Sequence, residues 1–227
     1  MVEDDSRSQM EQTYRRYETE TYSAKWSPSI AGNRAILKER VDLAMSIAPP
    51  AKPHEVIVDL GAGSSISFPG LFAGAVVLQT DLLLHRLVQA RAESSEGMLV
   101  CANGAALPYA DQSVAGFVVS TLFSSVQAQD VQEAIGREVA RVLADDGFVL
   151  WYDLRLPNPS NKMITALKLG DIRRIFPDLR VESSRSCTLV PPLARRLGRA
   201  TGTFYRPLAR VQFLRSHLLV VLRKNQA

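Results

Sequence analysis

The run Val56-Ile57-Val58-Asp59-Leu60-Gly61-Ala62-Gly63 decides how this chain reads. Four of its first five residues are apolar and two are valine, the signature of a buried strand. It then meets a Gly-x-Gly turn. Glycines at such a turn let the backbone bend sharply and lie close to a ligand beyond the carboxyl end of the strand. A second apolar run, Ala75 to Thr80, ends at Asp81, eighteen residues after Gly63. An acidic side chain at the end of the second strand can accept hydrogen bonds from both hydroxyls of a ribose.

Working outward, short β-branched runs alternate with helical stretches. Met98 to Cys101, Val114 to Ser120 and Phe148 to Tyr152 read as further strands. Leu82 to Ala92 and Val131 to Leu143 have helical spacing. The alternation implies an α/β fold with a mostly parallel sheet covered by helices on both faces. Later in the chain, Asp171 to Phe176 suggests a short helix closed by Pro177. Val181 to Leu189 reads as a sixth strand, and Val211 to Arg223 ends in a seventh. Residues 1–48 read as a helical extension, amphipathic over Asn33 to Ala48 and ended by Pro49, Pro50 and Pro53. Its aromatics Tyr14, Tyr17, Tyr22 and Trp26 suit either the core of that extension or a lid. Residues 49–227 form the main domain, with a basic insertion at about 190–210.

Composition narrows the classes. The chain has 227 residues, 46% hydrophobic, enough for one packed α/β domain. No apolar run approaches the roughly 18 residues of a membrane span. Glu3, Asp4 and Asp5 open the chain without a basic-then-apolar signal pattern, so export is not expected and a cytoplasmic setting is. Cys101 and Cys187 sit in apolar runs and are expected as two buried thiols, not a disulfide. The net charge of +4 is unevenly placed. Arg195, Arg196, Arg199, Arg206, Arg210 and Arg215 fall between Pro191 and Arg215 with no carboxylate among them.

The Gly-x-Gly turn admits a nicotinamide dinucleotide as well. That reading expects a third glycine where this chain has Ile66, and a start nearer the N-terminus. Four ordered stretches point elsewhere: Asp59 to Gly63, Thr80-Asp81, Asn103-Gly104 running on through Leu107-Pro108-Tyr109-Ala110-Asp111-Gln112-Ser113, and Arg141-Val142-Leu143-Ala144-Asp145-Asp146-Gly147. Together they resemble the class I S-adenosylmethionine-dependent methyltransferases, and within these the type 11 branch, over roughly residues 55–153. The resemblance implies a Rossmann-like fold with S-adenosyl-L-methionine as cofactor. It implies that Asp59, Gly61 and Gly63 line the methionine end of the cofactor. Asp81 would hold the ribose with Leu82 beside the adenine, and Asn103 and Gly104 would face the adenine. Ser120, at the end of the fourth strand, would lie by the methionine. Relatives often carry His after the fourth strand, where this chain has Ser124-Ser125, so one familiar base is missing.

On the acceptor side the fifth strand ends Trp151-Tyr152-Asp153-Leu154-Arg155. Asp153 is the candidate general base, or else an ion-pair partner of Arg155. Arg155, Arg195 and Arg196 are candidates for holding an anionic acceptor, or else part of a solvated basic face. The three histidines, His54, His85 and His217, share no metal-ligand spacing, so no metal is expected. The stretches WYDLRLPNPSN and PPLARRL resemble methyltransferases of bacterial surface-glycan and glycolipid pathways. That implies a sugar hydroxyl as acceptor, as a small molecule or lipid-linked glycan, with peripheral contact at the inner membrane surface. Two other readings stay open: an RNA methyltransferase, disfavoured by the lack of an Asn/Asp-Pro-Pro-aromatic motif, and a non-catalytic subunit of the same fold.

Overall fold

The computed structural model describes residues 27–93, 97–158, 161 and 163–225. Tyr14, Tyr17, Tyr22 and Trp26 lie outside them. Seven strands form one sheet in the order β3-β2-β1-β4-β5-β7-β6. These are β1 Val56–Leu60, β2 Val76–Asp81, β3 Met98–Cys101, β4 Val114–Ser120, β5 Leu143–Leu154, β6 Leu179–Leu189 and β7 Arg215–Lys224. The first five run parallel, and β7 lies antiparallel to both β5 and β6. The helices described are α1 Ala31–Ile47, α2 Leu84–Glu93, α3 Gln129–Val142, α4 Leu169–Ile175, α5 Pro191–Arg196 and α6 Thr201–Ala209. The seven-stranded, mostly parallel α/β sheet is therefore the observed fold class.

Alternation along the central strands sends side chains to two cores. Val58, Leu60, Phe117, Val119, Val149 and Trp151 face one side, where α3 and α4 cover them. Ile57, Val118, Phe148, Leu150 and Tyr152 face the other, where α1 packs. Leu179 to Leu189 begins two residues earlier than its sequence pattern suggests. β5 starts five residues earlier, because Leu143 pairs with Val114 across a register shift. α3 meets α4 through Gly136, where a Cβ would lie 1.9 Å from the Ile175 carbonyl oxygen.

The first parallel crossover, residues 61–75, carries turns instead of a helix. Phe68 and Phe72 do part of the work a helix would do. Phe68 packs edge-on to Tyr152 and Phe72 lies against Phe148. A cavity of about 520 Å³ remains beside them, lined among others by Asp59, Val77, Met98 and Val118.

One expectation is overturned. Cys187 is buried, but Cys101 is exposed. Cys101 ends β3, which among the described residues is an edge strand, and β6 with Cys187 is the opposite edge. The two thiols are thus separated by the width of the sheet.

Between β6 and β7 the basic segment folds as α5, a 3-10 turn and α6. Ala194, Tyr205 and Ala209 form a small core with Ile36 of α1 and Leu189 of β6. Contact with α1 is close: a Cβ on Gly32 would lie 2.2 Å from the Ala194 carbonyl oxygen. Since β6 ends and β7 begins beside the end of β5, this small layer stands at the carboxyl edge of the parallel strands.

Candidate active site

The carboxyl edge is where open α/β sheets place their ligands, because the helix N-termini and connecting loops converge there. At the end of β1, Gly61 (φ 72°) and Gly63 (φ 62°) adopt the left-handed backbone that glycine tolerates. The space beside them is already taken. A Cβ on Gly61 would lie 2.9 Å from Leu122 Cδ1, and one on Gly63 3.0 Å from Arg86 Nη2. The turn is held to β2 by Gly61 N–H donating to the Thr80 carbonyl at 2.7 Å.

Asp81 organises this turn. One oxygen accepts from Gly63 N–H at 2.8 Å and the other from Leu83 N–H at 2.9 Å. The second bond caps the start of the segment leading into α2. Each carboxylate oxygen has about two acceptor positions. One on each therefore stays open, the right number for two vicinal hydroxyls. Leu82 beside it is half-buried.

Asp59 is 1% exposed. Its oxygens accept from Ser67 N–H at 2.7 Å and Ser67 Oγ–H at 2.8 Å. It thus pins the far end of the glycine turn back onto β1. Burial lifts its carboxyl to about 6; the Ser67 bonds and the Arg40 guanidinium act against that, and the Asp81 charge adds to it. Arg40, from α1, donates to the Ser67 carbonyl at 2.6 Å. Its guanidinium lies 5.0 Å from the Phe68 ring centre and 5.2 Å from that of Tyr152. Neither Arg40 nor Ser67 carries a sequence signal, since each matters only through a neighbour distant along the chain.

Asn103 and Gly104 follow β3. The Asn103 side-chain oxygen accepts from Ala105 N–H at 3.0 Å and shapes a tight turn. Beyond it, Tyr109 and Thr80 share a hydroxyl–hydroxyl bond of 2.7 Å. Arg141 clamps the loop from outside, donating to the carbonyls of Leu107 and Tyr109 and pairing with Asp111 and Glu138. Glu138 in turn accepts from Leu107 N–H. The LPYADQS and RVLADDG stretches are therefore one physical unit: the arginine of the second locks the loop of the first.

Ser120, half-buried, ends β4, and Thr121 follows in a left-handed conformation (φ 53°). This turns the chain into the 3-10 segment Phe123–Ser125. Asp153 lies beneath that segment, 2% exposed. It accepts from Ser124 N–H at 3.0 Å, Leu154 N–H at 2.8 Å and Trp151 Nε1–H at 3.4 Å. Burial raises its carboxyl to about 6, against the lowering effect of those bonds. Asp153 makes no ion pair with Arg155. Arg155 turns the other way and donates to the Gln212 carbonyl at 3.3 Å, joining the end of β5 to the basic segment. On α5, Arg195 is half-buried and Arg196 exposed.

His54 stands at the opposite edge of the sheet and His85 is exposed on α2. His217 is buried, stacked on Tyr152 at 4.7 Å, with Nδ1 2.8 Å from Ser216 Oγ. Burial and the Arg40 charge hold it near 3, hence neutral. Among the described residues no group of three His, Cys, Asp or Glu could hold a metal ion. No described helix is long and apolar enough to cross a membrane.

Comparison with known proteins agrees with this geometry. The family model Methyltransf_11, a methyltransferase domain, matches residues 58–151. No curated protein matches the chain. Among solved structures, the fold is similar to a TehB-like S-adenosylmethionine-dependent methyltransferase from Corynebacterium glutamicum. The TM-score is 0.60 at 20% identity, covering 91% of this chain and 97% of that one. It is also similar to geranyl diphosphate C-methyltransferase from Streptomyces coelicolor, with TM-score 0.64, 15% identity, and 92% and 87% coverage. A third similar fold is an S-adenosylmethionine-dependent methyltransferase from Methanosarcina mazei, with TM-score 0.58, 13% identity, and 78% and 95% coverage. Residues 58–151 carry a methyltransferase domain, and the described residues share the fold of these S-adenosylmethionine-dependent methyltransferases.

Proposed function

We propose that the enzyme methylates a sugar hydroxyl in a glycan or glycolipid precursor, working in the cytoplasm at the inner membrane surface. The observation that carries the proposal is the arginine-rich layer at the same sheet edge as the glycine turn, where Arg155 at the end of β5 donates to the Gln212 carbonyl. A cationic wall beside the cofactor edge suits an acceptor bearing phosphate, such as a nucleotide sugar or a lipid-linked glycan. The S. coelicolor neighbour, a C-methyltransferase whose structure holds Mg2+, geranyl diphosphate and S-adenosyl-L-homocysteine, is an instance of this fold taking an acceptor that carries a diphosphate.

S-adenosylmethionine supplies an activated methyl group on a sulfonium. The residues present fit it: a cradle of two glycines in the left-handed backbone that side chains rarely adopt, a carboxylate with two open acceptor positions, and an amide at the end of β3. In this reading Gly61 and Gly63 let the backbone approach the methionine end, which Asp59 shapes from behind and Ser120 borders. Arg40 adds a cation there; its Nε is buried and has no acceptor among the described residues. Asp81 takes the ribose hydroxyls, with Leu82 against the adenine and Asn103 and Gly104 at its edge. Arg155, Arg195 and Arg196 bind the acceptor's anionic group. Asp153 takes up the hydroxyl's proton; a carboxyl lifted to about 6 is better matched to that task near neutral pH than an ordinary one. Residues 49–227 are the catalytic domain, and α1 packs on α5 and α6 at the acceptor edge.

The test is a screen of nucleotide sugars and glycolipid extracts with labelled S-adenosylmethionine, followed by mass analysis. The expected product is a sugar carrying one extra O-methyl group. Label appearing on RNA, or in no sugar-containing fraction, refutes the acceptor reading.

A further inference from the structure

After Glu182 the chain contains no Asp or Glu through Ala227, while arginines continue. The structure sorts that segment into two faces. On α6, Thr201, Tyr205 and Ala209, spaced by four, turn inward to α1 and β6. The outward half holds Phe204, Arg206 and Pro207, with Arg210 just past the helix end, all exposed. Phe204 is 53% exposed and Phe213, in the 3-10 turn that follows, 75%. Among the described residues no carboxylate pairs with Arg199, Arg206 or Arg210.

These exposures are not an unfinished core, because the inner side of α6 is already packed. Two exposed phenylalanines thus stand among arginines that no carboxylate of the described residues neutralises, a face both apolar and basic. A bilayer interface carrying anionic lipid matches both characters. The rings enter the boundary between headgroups and acyl chains, and the guanidiniums meet phosphates at headgroup level. A single-stranded nucleic acid could meet the charge and stack a base on one face of either ring, but it leaves the other face in water, whereas a bilayer covers both rings.

We propose that the face formed by α6 and residues 210–213 docks on an anionic membrane surface, with Phe204 and Phe213 inserted and Arg199, Arg206 and Arg210 on the phosphates. This deepens the membrane part of the reading above and rests on that part only. The face adjoins the acceptor-side layer, so docking brings that edge of the sheet to the surface from which a lipid-linked acceptor would come.

The experiment is co-sedimentation of the full chain with vesicles, without acceptor or cofactor. Failure of docking is then distinct from failure of the acceptor assignment. Vesicles of phosphatidylcholine with phosphatidylglycerol should retain the protein at low salt, vesicles of phosphatidylcholine alone should not, and added salt should release it. Arg206→Gln/Arg210→Gln should weaken binding about 25-fold, at about fivefold per arginine near an anionic surface. Phe204→Ser/Phe213→Ser should weaken it at fixed charge, and the circular dichroism of both variants should match wild type. No retention on anionic vesicles overturns the proposal. So does retention unchanged in the phenylalanine variant. Arginine-dependent binding of a single-stranded RNA oligomer that is tighter than binding to the anionic vesicles assigns the face to nucleic acid and overturns it too.

Discussion

Replacing Asp59 with Asn should stabilise this protein at neutral pH, although Asp59 lies in the most recognisable stretch of the chain. In the native state the carboxyl is lifted from its ordinary 3.8 to about 6, chiefly by burial. Between those values the native state holds more protons than the unfolded chain, so stability falls as pH rises through that window. The shift corresponds to about 3 kcal/mol lost by pH 7.5, of which only about 1 kcal/mol is already lost at pH 4.5. Asn removes the charge at little cost in hydrogen bonds. Its oxygen can accept from Ser67 N–H and its amide can donate to Ser67 Oγ, because a hydroxyl works in either direction. Urea unfolding of wild type and Asp59→Asn at both pH values tests this. The variant should gain up to about 3 kcal/mol at pH 7.5 and about 1 kcal/mol at pH 4.5. A variant less stable than wild type at pH 7.5, or a difference that does not grow with pH, would refute the reasoning.

The same substitution at Asp81 should act oppositely, because both of its partners are backbone N–H groups and an amide can satisfy only one. Asp81→Asn should lose about 1–3 kcal/mol of stability and bind S-adenosyl-L-homocysteine about 10- to 150-fold more weakly, read by calorimetry; unchanged affinity in a folded variant would remove Asp81 from the site. Asp153→Asn should keep cofactor affinity and lose about 10²–10⁴ in kcat, with the acid limb near pH 6 absent from its pH–rate profile. If kcat drops but that limb persists, Asp153 only positions the Ser124 turn. Gly136→Ala should lower stability by about 1–3 kcal/mol or more in thermal or urea melts, since its Cβ would meet the Ile175 carbonyl. Wild-type stability would show that α3 and α4 separate freely.

Much of the carboxyl edge of the sheet was legible because its signals are local. β1, β3 and β4 appear in the structure with the bounds their apolar runs suggest, and the positions of Gly61, Gly63 and Asp81 follow directly from the strand ends. Bounds were less legible where pairing sets them. β5 extends back to Leu143 through a partner strand, and β6 back to Leu179 through β7. The burial of Cys101 was misjudged because its apolar neighbours suggest an inner strand, whereas β3 lies at the rim.

By itself, the sequence determined the sheet-forming runs, the left-handed glycine turn and the acidic residue eighteen positions beyond it. These depend on steric preference and on spacing along one crossover. Only the tertiary structure decided what each polar group does. Asp59 turned out to face Ser67 and Arg40, Asp153 to lie under Ser124, and Arg141 to clamp the loop at Leu107. It also decided that α6 turns Phe204 outward while Tyr205 turns in. The reason is physical: a charge's protonation, a donor's partner and a ring's exposure depend on which distant segments exclude water around it. That exclusion exists only once the sheet has brought those segments together.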